Sequence, residues 1–258
     1  MPLLSTTSVV TALRAAGCVF AEDEAELILT TARTPDEAAA MVARRVAGRP
    51  LELVLGWAEF AGLRITVEPG VFVPRRRTEF LVEQALATVP GASVVVDLCC
   101  GSGAVGAALA ASLEAAELHA ADIDPAAVRC ARRNIAPRGG HAHEGDLFEA
   151  LPARLRGHID ILAANVPYVP SGEVPLLPSE ARDHEPLVAL DGGTDGLDVL
   201  RRVAAEAPGW LAPGGHLFVE TSERQTPLAL DALRRSGLTA RVAVSEEMHA
   251  HVVTGTRP

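Results

Sequence analysis

Apolar residues recur along this chain with two different periods, and the order of those periods predicts the fold. Thr6–Ala16 and Glu22–Thr31 space their apolar positions as helices do, the second behind an acidic first turn that suits a helix N-terminus. Thr34-Pro35-Asp36-Glu37 combines a capping threonine, a first-turn proline and two acids. It predicts a helix running to about Ala47 and ended by Gly48-Arg49-Pro50. Three short helices bury little on their own, so residues 1–56 read as a helical domain docked on something larger.

Residues 57–77 change character. Trp57–Phe60, Leu63–Val67 and Val71–Val73 read as short strands separated by Gly62 and Pro69-Gly70, a β-hairpin linker. A helix over Glu79–Ala87 follows, and from Val94 strands and helices alternate. The predicted strands are Val94–Leu98, Glu117–Asp122, His141–Gly145, Ile159–Ala164 and His216–Thr221. The helices are Gly103–Leu113, Pro125–Ile135, Leu197–Ala207 and Pro227–Ser236. Such alternation builds a parallel sheet covered on both faces. Thr239–Ser245 and His249–Thr254 form a final antiparallel hairpin closing the sheet edge. The long Pro- and Gly-containing stretch Val166–Gly193 reads as a lid over the substrate. Residues 78–258 are thus expected to be an α/β catalytic domain.

Composition narrows the class. Hydrophobic residues make up 48% and the formal net charge is −10, which fits a globular protein without a nucleic-acid-coating basic face. All 23 basic residues are arginine, so a lysine Schiff base and a lysine phosphate loop are excluded. Cys18, Cys99, Cys100 and Cys130 form no C-x-x-C pair, and no zinc cluster or disulfide framework is expected. His141-x-His143 and His249-x-His251 lack an obvious third ligand, so no metal is expected either. The chain shows neither a basic signal-peptide start nor an apolar run of the ~20 residues a membrane helix needs. A cytoplasmic protein with no membrane partner is the expectation.

The first strand of the alternating region ends Asp97-Leu98-Cys99-Cys100-Gly101-Ser102-Gly103-Ala104-Val105-Gly106. Strand, glycine turn and helix in that order make a nucleotide loop, and Asp122, closing the second strand, is placed to hold a ribose diol. A dinucleotide and the adenosyl group of S-adenosylmethionine both fit this pattern. Asp97 favours the methyl donor, whose ammonium needs a nearby anion, although a helix cap is its bland alternative. Asp146, after the third strand, is placed to accept the adenine amino group, with Leu147 against the ring. The fourth strand ends in Asn165-Val166-Pro167-Tyr168, facing the nucleotide from the carboxyl end of the sheet.

These residues resemble the HemK/PrmC family of protein-glutamine N5-methyltransferases, whose motif at the last position is Asn-Pro-Pro-Tyr. The likeness spans nearly the whole chain. It includes Gly56–Gly62, Pro69–Arg75, Thr78-Glu79, Asp97–Gly103, Asp122, Gly145–Phe148, Glu185-Pro186, Leu190–Gly193 and Asp195–Leu197. Val166 and Cys99 stand where the family has proline and glycine, and the helical N-terminal module is short. The resemblance implies a class I S-adenosylmethionine-dependent methyltransferase, Rossmann-like and seven-stranded with an antiparallel last strand. Its donor would lie on Asp97, Cys99, Cys100, Gly101, Ser102, Gly103, Asp122, Asp146, Leu147 and Asn165. Its acceptor would be a glutamine in the Gly-Gly-Gln tip of a peptide chain release factor. In the family, the Asn165 side-chain oxygen and the residue-166 backbone carbonyl hold the two amide N–H groups, and Tyr168 walls the amide. Asn165–Tyr168 would thus bind the substrate, with Asn165 and Tyr168 catalytic.

Other readings remain open at this level: a paralogue with another glutamine acceptor, an adenine-N6 nucleic-acid methyltransferase, a non-catalytic binding module, or an NAD-binding oxidoreductase. The adenine reading needs a basic channel, and residues 81–258 hold 14 arginines against 23 acids. No stable nucleic-acid partner is expected. Arg75-Arg76-Arg77, the longest basic run, is either solvated surface or a contact for the acceptor.

Overall fold

The computed structural model of the chain describes residues 5–113 and 116–258. Residues 1–4 and 114–115, parts of the expected helical and catalytic segments, lie outside the described residues.

The N-terminal segment is helical: α1 (Thr6–Ala15), α2 (Ala21–Thr31), α3 (Pro35–Val46) and α4 (Leu51–Leu55). The Thr34 hydroxyl accepts the Glu37 N–H, and the Glu37 carboxylate reaches back to the Arg33 N–H, so two donors at the start of α3 are satisfied locally. Val9, Leu13, Ile28, Met41 and Val54 form a core of their own. An antiparallel hairpin, β1 (Trp57–Phe60) and β2 (Leu63–Thr66), follows.

Val71–Val73 is not a strand. The segment is extended, but Val71 packs against α7 (Pro125–Ile135) while Val73 packs in a cluster with Leu53 and Ala58. Its Val73 N–H donates to the Glu185 carboxylate at 3.1 Å instead of to a neighbouring strand. The alternating valines signal burial on two sides, which a strand and an extended link share.

The main sheet has the order β5-β4-β3-β6-β7-β9-β8. Its strands are β3 (Val94–Leu98), β4 (Glu117–Asp122), β5 (His141–Glu144), β6 (Ile159–Ala164), β7 (Leu211–Thr221), β8 (Thr239–Ser245) and β9 (Ala250–Thr256). β3 to β7 are parallel, and β9 runs antiparallel to both neighbours. The terminal hairpin therefore enters the sheet as predicted, but its last strand lies inside and β8 forms the edge. Val252 and Val253 of β9 are fully buried, whereas β8 alternates exposed and half-covered positions, so burying the more apolar strand decides the order.

Helices α5 (Glu79–Thr88), α6 (Ala104–Ser112) and α7 contribute to the core on one face; α9 (Asp198–Trp210) and α10 (Thr226–Arg235) contribute to the other. The helix predicted to end at Ala207 passes through Pro208 to Trp210. Trp210 is buried and stacks on Phe148 at 5.4 Å, which holds the last turn despite the N–H that proline lacks. Strand order reverses between β3 and β6, and in open α/β sheets ligands occupy the crevice at such a point.

Candidate active site

At that crevice lies a cavity of about 430 Å³. Residues from the ends of four parallel strands converge on it: Asp97 in β3, Asp122 closing β4, Asp146 and Leu147 after β5, and Asn165–Tyr168 after β6. Cys99, Cys100, Gly101 and Ser102 line it as well. Gly103 does not. It caps α6 in a left-handed conformation, and a Cβ there would sit 3.0 Å from Ala131 on α7. Its place in the pattern thus serves helix packing, not the cavity.

Asp97 is 1% exposed, and its Oδ2 accepts the Gly106 N–H at 2.8 Å. Burial pushes its carboxyl up to about 8, against a smaller opposing effect of that hydrogen bond. No cation pairs with it among the described residues. Asp122 is also raised by burial; its two oxygens accept the Gly101 N–H at 2.8 Å and the Asp124 N–H at 2.9 Å. Asp122 thereby pins the glycine turn, while the adjacent cap of α7 is made by Asp124. Asp122 also lines the cavity. Asp146 pairs with Arg202 at 2.7 Å.

Cys99 adopts φ +56, the left-handed region that favours glycine. The family's glycine at this position has its reason there, and cysteine keeps the turn at a cost of about 1–2 kcal/mol. Burial raises the thiols of Cys99 and Cys100, so neither supplies a thiolate.

The Asn165 carboxamide has no hydrogen-bond partner among the described residues, although it lies against the buried Val166. The backbone around it is held from behind. Gln225 Nε2 donates to the carbonyls of Tyr168 and Asp195 at 2.8 and 2.9 Å. Gly192 and Gly196 press on the same segment: a Cβ on Gly192 would lie 2.6 Å from the Pro167 carbonyl, and one on Gly196 would overlap that of Tyr168. The glycines of the Asp191–Leu197 stretch therefore shape the Asn165–Tyr168 backbone.

Tyr168 is fixed from two sides. Arg77 Nη2 donates to its hydroxyl at 2.5 Å, and the hydroxyl donates to Glu220 Oε1 at 2.9 Å. Arg77 Nε also donates to Glu220 Oε1, at 2.9 Å. Burial, then the Glu220 charge, raises the phenol, which stays protonated. Arg75 pairs with Glu185 at 2.7 Å. The basic run is thus a pair of clamps on buried carboxylates, with Arg76 exposed and without a partner among the described residues. Sequence reading singled out Arg75–Arg77 and Glu185 without their pairings, and missed Glu220, Gln225 and Asn134. Asn134 ties β2 to the glycine turn through Thr66 and the Ser102 carbonyl.

Residues of Val166–Gly193 cover the cavity, including Leu177, Pro178, Ala181 and Val188. The segment is closed at its base by the Val169–Asp191 bridge, and its short helix α8 (Ser179–Arg182) is tied to α3 by Arg45–Glu180 at 2.6 Å. Of the His141-x-His143 pair, His143 hydrogen-bonds His119 at 2.8 Å and His141 stacks on it, while His119 also bonds Glu117 at 2.8 Å. Among the described residues no group of three metal-ligating side chains is arranged to hold an ion. Nor is any helix long and apolar enough to cross a membrane.

The residues present fit S-adenosylmethionine: a buried, cation-free carboxyl beside the turn, a second carboxylate at the end of β4, and an apolar wall that includes the buried Leu147 and the half-exposed Ile123. A family model described as "Methyltransferase small domain" matches residues 62–175. A "Release factor glutamine methyltransferase" of Geobacter sulfurreducens is 40% identical over 208 residues, covering 79% of this chain and 72% of its own. A "4-amino-L-phenylalanine/4-methylamino-L-phenylalanine methyltransferase" of Streptomyces pristinaespiralis is 36% identical, covering 76% of this chain and 69% of its own. Among solved structures, the T. thermophilus 16S rRNA N2 G1207 methyltransferase in complex with AdoMet and guanosine shares the fold. Its TM-score is 0.56 at 23% identity, with 78% of this chain and 50% of that one covered. A methyl-donor crevice on a seven-stranded sheet, together with these relatives, makes the chain an S-adenosylmethionine-dependent methyltransferase that belongs to the release factor glutamine methyltransferase family.

Proposed function

We propose that the protein transfers a methyl group from S-adenosylmethionine to the side-chain N5 of a glutamine in a peptide chain release factor, in the cytoplasm. The observation that carries this reading is the unpartnered Asn165 carboxamide in the same cavity as Asp97 and Asp122. The bound donor supplies an electrophilic sulfonium methyl. Asp97 would take its ammonium, Asp122 its ribose, and Ile123 and Leu147 would cover its adenine. Asp146 would have to share its carboxylate between Arg202 and the adenine amino group.

An amide nitrogen is a poor nucleophile because its lone pair is delocalised into the carbonyl, and Asn165 is no base. The chain therefore acts by positioning. Asn165 Oδ1 accepts one N–H of the target amide and the Val166 carbonyl accepts the other, which directs the nitrogen lone pair at the methyl. Pro167 keeps Val166 extended, so the carbonyl direction survives the loss of the family's proline. The Asn165 dipole also stabilises positive charge developing on the nitrogen as the N–CH3 bond forms and the S–CH3 bond breaks, and the surplus N–H proton then passes to solvent, leaving S-adenosylhomocysteine as the second product. Tyr168, held by Arg77 and Glu220, walls the flat amide. We further propose 1–56 as the domain that docks the acceptor, 57–77 as linker and 78–258 as the catalytic domain.

Mass spectrometry of release factors incubated with enzyme and labelled donor tests the reading. A single methyl on the Gly-Gly-Gln glutamine is expected. Methylation of 4-amino-L-phenylalanine and of no protein glutamine would instead place the chain with its Streptomyces relative.

A further inference from the structure

A second cavity, of about 510 Å³, lies on the other side of Tyr168. Arg77 and Tyr168 line both cavities and form the wall between them. The rest of the second is built from the end of β7 and the β8–β9 turn, including Glu220, Thr221, Glu246 and His251. Glu220 is 2% exposed. Its Oε1 is used by Arg77 and Tyr168, but its Oε2 is buried with no partner among the described residues. Thr221 Oγ1 and His251 Nδ1, on residues paired across β7 and β9, are likewise buried and unpartnered.

A buried carboxylate oxygen without a donor is costly, and a built-in acceptor of this kind calls for a ligand that supplies N–H groups. The sign of the surroundings narrows the choice. Glu223 and Glu246 add exposed carboxylates, and the one arginine that lines the cavity among the described residues, Arg77, already serves Glu220 and Tyr168. An anion is repelled here and a cation with several donors is attracted. The position identifies its source. Because Arg77 and Tyr168 line both cavities, the second adjoins the one that would take the glutamine, and a neighbouring side chain of the same acceptor is its candidate occupant.

We propose that this second cavity is a subsite for a basic side chain, arginine or lysine, on the C-terminal side of the methylated glutamine of the acceptor, with Glu220 Oε2 as its principal contact. The inference rests on the glutamine-methylation reading.

Short synthetic peptides with a Gly-Gly-Gln core that differ only in carrying Arg, Ala or Glu on the C-terminal side of the glutamine test it. Their affinity is read by fluorescence anisotropy with S-adenosylhomocysteine present, and their turnover by mass spectrometry. The arginine peptide is expected to bind about ten-fold tighter than the alanine peptide, with the glutamate peptide weakest. Glu220→Gln keeps a side chain on Arg77 and Tyr168 and should bring the Arg/Ala ratio close to one; calorimetry with S-adenosylhomocysteine confirms that the first cavity is intact. Glu223→Gln/Glu246→Gln should lower the ratio about three-fold, and added salt should do the same. Equal affinities in the parent, or an unchanged ratio in Glu220→Gln, overturn the subsite. An arginine preference in binding without methylation of any peptide or release-factor glutamine would instead defeat the assigned reaction and leave the subsite standing.

Discussion

Asp97 offers a test in which stability and donor binding move in opposite directions. In the free protein its carboxyl is pushed from an ordinary 3.8 up to about 8 by burial. The folded state therefore holds a proton to about pH 8 that the unfolded chain gives up near pH 4. Across that window the folded state binds more protons, so this group's contribution to stability is complete below pH 4 and is lost as pH rises toward 8. The loss runs at about 1.4 kcal/mol per pH unit and reaches up to about 4 kcal/mol at pH 7. Asp97→Asn removes the titration while its side-chain oxygen can still accept the Gly106 N–H. In the absence of donor the variant should be more stable than the parent at pH 7, raising the melting temperature on the order of 10 °C at about 2–4 °C per kcal/mol. The gap should shrink as pH falls to 5. Donor binding should respond oppositely: the parent binds S-adenosylhomocysteine with release of close to one proton at pH 6–7, because its ammonium ionises Asp97, and the variant binds weakly with no release. Differential scanning fluorimetry over pH 5–8 and calorimetry in buffers of different ionisation enthalpy read these quantities. A variant less stable than the parent at pH 7, or binding as tightly without proton release, would refute the reasoning.

Three further substitutions probe the acceptor side. Asn165→Ala should leave S-adenosylhomocysteine affinity near the parent's in calorimetry and cut turnover about a hundred- to thousand-fold; retained turnover would remove Asn165 from the chemistry. Val166→Pro restores the family motif and deletes an N–H that has no partner among the described residues, so turnover should stay within a few-fold, whereas a large loss would show that the 166 carbonyl had moved. Gly196→Ala would force a methyl group against the Tyr168 carbonyl and the Gln225 amide at φ +76. It should cost about 1–3 kcal/mol in denaturant unfolding and lower turnover more than donor affinity, and unaltered kinetics would argue that Asn165–Tyr168 is held by something else.

Much of the catalytic frame is legible in the sequence because it depends on near neighbours. A two-residue or 3.6-residue period, a capping threonine or a proline at a first turn acts within a few positions, so the alternating strands and helices can be read directly. Once the sheet is known to be parallel, strand-end residues such as Asp97, Asp122 and Asn165 must share one rim, whatever the distances between them in sequence. Tertiary structure decided the rest. Arg77 and Glu220 lie 143 positions apart and Arg75 and Glu185 lie 110 apart, and nothing local marks either pair. Val71–Val73 alternates like a strand yet finds a carboxylate where a strand partner would be. Trp210 carries its helix past Pro208 because it has Phe148 to stack on. Such outcomes are set by which surfaces meet when the chain closes on itself, and local periodicity holds no record of that meeting.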